Sequence, residues 1–132
     1  MKTLKLPIAL ALGVTLLAVT GCNTVSTTHT QAIGGPKFAP SNPADVQILR
    51  TEPTRPNVRL GEVQAEPATE SVPASDIETA LKKEAAKLGA DAVVIVADRT
   101  QVMGAMVTGP WWGRSVQEVQ GRVVIGVAIK YQ

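Results

Sequence analysis

The sequence predicts a small α+β domain, a sheet of about four mixed strands with one helix packed on one face. Three observations carry that prediction. Residues 77–88 repeat apolar side chains at helical spacing; residues 92–97 and 123–129 are near-continuous runs of small and β-branched residues; and two shorter apolar runs, 46–50 and 58–65, are separated by Pro53 and Pro56.

The first strand is expected at 46–50, where Val46, Ile48 and Leu49 precede the two prolines. The second is expected at 58–65. Its apolar positions are Val58, Leu60 and Val63, and the break in alternation at Gly61 predicts a bulge or twist there. Ser75-Asp76-Ile77-Glu78 fits a capping box, in which the Ser75 hydroxyl and the Glu78 carboxylate each accept the other residue's backbone N–H. The helix that follows presents Ile77, Leu81, Ala85 and Leu88 on one face and Glu78, Lys82, Lys83, Glu84 and Lys87 to solvent. Gly89 suits the left-handed C-cap. The runs at 92–97 and 123–129 lack alternation and are read as central strands. Strand, helix and strand in succession imply a right-handed crossover and a parallel pair, with the last strand antiparallel. One helix covers one face, so the other must meet irregular segments or another chain, which leaves oligomerisation open.

The N-terminus has a different logic. Lys2 and Lys5, the uncharged apolar run 6–19 and the small residues after it form the three-part layout of a secretory signal. That run is too short to span a bilayer in the usual way. The stretch Leu17-Ala18-Val19-Thr20-Gly21-Cys22 resembles the lipobox of bacterial lipoproteins. The resemblance implies cleavage between Gly21 and Cys22, a diacylglycerol on the Cys22 thiol and acylation of the new amino group. Asn23 in place of Asp implies the outer membrane, on its periplasmic side. Cys22 is the only cysteine, so no intrachain disulfide forms, and acylation accounts for a thiol that would otherwise be free in an exported protein. The expected organisation is a signal peptide at 1–21, a lipid-anchored flexible linker at 22–44 and a periplasmic α+β domain at 45–132. The linker reading rests on the Ser, Thr, Asn, Gly and Pro of 23–43, whose reach as a coil is roughly 25 Å.

The whole chain carries 13 Lys and Arg against 11 Asp and Glu. Removal of Lys2 and Lys5 brings the two signs into balance, and the remaining basic residues are scattered, so nucleic-acid binding is set aside. Nothing points to a catalytic residue, a metal or a cofactor. His29 is the only histidine and falls in the expected linker, away from any preorganised base. Asp91 and Asp98, seven residues apart, would stand roughly 23 Å apart along a strand and are read as solvated strand ends.

The segment 101–113 holds both tryptophans. Met103, Met106, Trp111 and Trp112 sit among Gly104, Gly109, Pro110 and Gly113, a loop composition. Two readings are open: the indoles fold back over the uncovered sheet face, or they form an interaction surface for a protein, a glycan or a lipid headgroup layer.

Residues 85–94, Ala-Ala-Lys-Leu-Gly-Ala-Asp-Ala-Val-Val, and the terminal strand ending Gly126-Val127-Ala128-Ile129-Lys130-Tyr131 resemble the core of the Rcs-sensor lipoprotein family and related small envelope domains. That resemblance implies an α+β fold in the cell envelope. The disulfides of that sensor are not available to this chain. The functional expectation is a non-enzymatic envelope lipoprotein that binds or scaffolds an envelope protein or peptidoglycan; the alternative is an envelope-stress sensor relaying a signal to an inner-membrane partner.

Overall fold

The computed structural model describes residues 24–132. The expected signal peptide, the Gly21–Cys22 cleavage point and the acyl acceptor Cys22 lie outside the described residues. In chain order the elements are β1 (Val25–Gln31), a single 3-10 turn (Pro43–Asp45), β2 (Gln47–Leu49), β3 (Asn57–Pro67), α1 (Ala74–Lys87), β4 (Ala92–Thr108) and β5 (Ser115–Tyr131). They build one sheet in the order β1-β3-β5-β4-β2, in which β2 runs parallel to β4 and every other neighbouring pair is antiparallel. The α+β class and the mixed sheet hold. The sheet has five strands rather than about four, and the additional one is β1.

That strand corrects the flexible linker expected at 22–44. Val25–Gln31 pairs residue for residue with Pro67–Gly61, and Val25 is buried. The following stretch is also tied down: Ser41 donates its N–H to the Ala86 carbonyl and its hydroxyl to the Ala90 carbonyl. The physical reason is that an edge strand needs partners on one side only, so a polar Thr-rich sequence suffices once a long neighbour supplies the ladder.

β5 takes the centre because its second half is apolar on both faces and is best buried with strands on both sides. The parallel arrangement expected of β3 and β4 survives as a common direction, but β5 lies between them and bonds to both. β3 is interrupted between Arg59 and Gly61, so Leu60 is an extra residue in the ladder, as the broken alternation predicts. The bulge brings Leu60 on one side of it and Val63 and Ala65 on the other to the same face. Gly61 is required there: a Cβ would run into the carbonyl oxygen of Thr30.

Helix α1 lies over β1 and β3 with Ile77, Leu81, Ala85 and Leu88 against Val63, Ala65, Val93, Val124 and Ala128. The Ser75 capping box does not form. The helix starts two residues earlier, with extended Pro73 at the N-cap, which lacks a side-chain donor or acceptor; Ser75 is inside the first turn, and its carbonyl accepts from the Thr79 hydroxyl at 2.7 Å. The C-terminus is as expected, with Gly89 at φ +77°, pressed so closely against Phe38 and Ala39 that a side chain would not fit. On the opposite sheet face a smaller cluster joins Ala92, Val94 and Ile129 to Leu49, Val127 and Tyr131. The Pro-rich segment between β2 and β3 covers part of it, with the Arg55 guanidinium 4.5 Å from the centre of the Tyr131 ring. Leu81 has no exposed surface. Leu81→Ala is expected to destabilise the fold by about 2 to 5 kcal/mol, and Gly61→Ala by about 1 to 3 kcal/mol because backbone must move. Urea unfolding of the two variants measures both effects.

Candidate functional site

The segment read as a loop at 101–113 is mostly strand. β4 continues to Thr108 and β5 begins at Ser115, so Met106 pairs in the ladder, Met103 is the extra residue where the register shifts between Val102 and Gly104, and only the Gly109–Arg114 turn connects the two strands. Past the ends of their other neighbours β4 and β5 pair only with each other, and they leave the sheet as a two-stranded arm. Thr100, Val102, Val107 and Thr108, answered by Val116 and Val119, have the β-branched character that sustains such a ladder without a core beneath it. Gly109, at φ +101°, and the Gly113 N–H donating to the Pro110 carbonyl at 3.0 Å close the turn. The sequence signal for this hairpin was present in those strands and in the Gly-Pro and Gly that bracket the tryptophans. The glycines and methionines obscured it.

The arm gathers the apolar surface of the protein. Among the described residues, eleven large hydrophobic side chains are exposed, and nine of them are on β4, β5 and the turn. The register sets Val107 opposite Val116 and Met106 opposite Gln117, while the Met103 side chain lies over Gly121. Trp111 and Trp112 stand at the tip, edge to face, with ring centres 5.4 Å apart. They are 79% and 73% exposed, so neither folds back over the sheet. Between Gln101 and Gln120 the charged residues are Arg114 and Glu118. At the base of the arm Arg122 donates two hydrogen bonds to Asp98, at 2.8 and 2.6 Å, and holds that carboxyl below its ordinary range. Asp91, at the other end of the sheet, is paired with Lys130 at 3.1 Å and accepts the Tyr131 N–H. The two aspartates therefore belong to separate ion pairs at opposite ends of the sheet.

His29 is not in a linker either. It stands on β1 with Nδ1 2.5 Å from Oε1 of Glu84, whose other oxygen accepts from the Thr27 hydroxyl at 3.1 Å and from the Lys87 ammonium at 2.7 Å. Glu84 is the one charged side chain buried among the described residues. Burial would raise its carboxyl, but the hydrogen bonds from Lys87, His29 and Thr27 together outweigh that and hold it below the ordinary glutamate value. This cluster borders an open groove of about 430 Å³ between β1 and α1, lined by Thr24, Thr79, Ala80 and Lys83 among others. A carboxylate with these three partners fastens an edge strand to a helix. Among the described residues no three His, Cys, Asp or Glu side chains gather as metal ligands do, and no helix is long and apolar enough to cross a membrane.

No family model matches the chain, and no curated protein is similar to it at a significant level. Among solved structures it is similar to a Francisella virulence factor, FvfA, crystallised in an orthorhombic form: 13% identity, 79% of this chain and 96% of that chain covered, TM-score 0.47.

Two outcomes follow from this geometry. Replacing both Trp111 and Trp112 by Ser should change stability by no more than about 0.5 kcal/mol, since exposed side chains are removed, and thermal unfolding checks it. The depressed carboxyl of Glu84 contributes stability that is present above the unfolded glutamate value and disappears as pH falls through the folded one. The urea midpoint should accordingly drop on acidification through the carboxylate range, and Glu84→Gln should flatten that part of the profile.

Proposed function

We propose that the chain is the precursor of a lipid-anchored, non-enzymatic protein of the Gram-negative envelope, held at the periplasmic face of the outer membrane by acyl chains on Cys22. Its β4–β5 arm is the surface that engages another envelope component. The arm carries this reading: a water-exposed hairpin with apolar side chains on both faces and unpaired edges invites association, and a folded protein keeps such a surface only where something meets it. The lipobox resemblance at 17–22 supports the anchor. Two or three acyl chains suffice for stable attachment where one does not.

The reading places the domain close to its membrane. Val25 is already within the sheet, three residues after Cys22, so the acyl cysteine lies at most about 11 Å from the folded body. A Cys22→Ser variant keeps every packed residue. It should therefore fold normally, take up no labelled palmitate and move from the membrane pellet to the soluble fraction. Equal membrane retention of variant and native chain, with no label in either, would overturn the proposal.

A further inference from the structure

We infer that the Trp111–Trp112 tip is a second, protein-made membrane contact, seated in the headgroup layer of the leaflet that holds the Cys22 lipid. The inference rests on the lipoprotein reading above and names what the arm's tip meets.

The argument is one of direction and length. Val25 pairs with Pro67, and the ladder is prolonged by the Ala68 N–H donating to the Thr24 carbonyl, so the chain towards Cys22 leaves the sheet at the end where β3 stops. The arm leaves by the same end. Pro67 is two residues beyond the Ala65–Val124 pair, whereas β5 extends from Val124 back to Ser115, nine residues beyond it. The arm thus passes the level of Val25 by about seven residues, roughly 23 Å. Cys22 cannot lie more than about 11 Å from Val25. Laterally, β1 and β5 are separated by β3 alone, a spacing of about 10 Å. A bilayer that takes up acyl chains at Cys22 therefore meets the arm before it meets the rest of the domain.

The chemistry of the tip suits that layer and not the one beneath. Tryptophan pairs are at home where an apolar ring meets water and headgroups, and Arg114 beside them complements anionic lipid. Met103, Met106, Val107 and Val116 supply apolar flanks. The unpaired edges of β4 and β5, with Gln117 and Glu118, set the limit: open backbone edges are not tolerated in hydrocarbon, so the arm must tilt and leave its tip at the interface.

Both tryptophans of the protein are at the tip, so its tryptophan emission, excited selectively over Tyr131, reports on this site alone. The mature lipidated protein, reconstituted into vesicles of phosphatidylethanolamine and phosphatidylglycerol, is compared with the Cys22→Ser chain in buffer. The expected result is a blue-shifted emission, a several-fold loss of quenching by iodide, and stronger quenching by lipids brominated near the headgroup than near the chain end. Palmitate-labelled protein whose tryptophans keep a water-like emission and full iodide quenching overturns this inference while leaving the anchor intact. Tryptophans shielded from iodide but untouched by bromine at either depth overturn it too, because the tip is then covered by protein, a second copy included. Absence of palmitate from Cys22 overturns the anchor itself and this inference with it.

Discussion

The structure depends on how β5 divides its pairing. Its second half, from Val124 to Ile129, lies between β3 and β4 and has side chains packed on both faces, whereas its first half has only β4 beside it. A central strand of that kind must be apolar and must contain room for its neighbours; Gly126, where a Cβ would strike the Val93 side chain, provides it. Because β4 keeps company with β5 along its whole length, the hairpin stays paired through two register shifts and carries its turn well clear of the core. The same pairing that closes the domain at one end projects an exposed apolar surface at the other.

The elements legible in the sequence are those whose pattern is local. Ile77, Leu81, Ala85 and Leu88 declare a helix by spacing alone, and the parity change across Gly61 declares a bulge. What was not legible depends on distant partners. β1 holds a single buried apolar residue, Val25, and is secured by a ladder to β3 and by Thr27 and His29 reaching Glu84 more than fifty residues away, so composition alone reads it as coil. The arm was hidden for a related reason: without a core beneath it there is no clean alternation to read, and Gly104 and the methionines mimic a loop. Of the candidate site, the side chains Met103, Met106, Trp111 and Trp112 were found by composition, but their mounting on a projecting hairpin required the register.

A core built from Val, Ala, Leu and Ile with almost no aromatic residue must be closed by other means. Ion pairs at the margins do part of this. Asp98 with Arg122, Asp91 with Lys130 and Glu84 with Lys87 and His29 each join elements or strand ends that apolar contact leaves loosely bound. Of the groups in these pairs only the Glu84 carboxylate is buried, so removing its partners would leave a desolvated charge behind; the more exposed pairs mainly steer geometry.

β1 has a mechanical consequence as well. A pull on the chain from its Thr24 end acts along the axis of that strand, so the hydrogen bonds from Val25–Pro67 to Gln31–Gly61 are loaded together in shear instead of being peeled one after another. The clasp of His29 and Thr27 on Glu84 adds a lateral catch midway along the ladder. A load applied at the Thr24 end is thereby shared along the whole β1–β3 ladder.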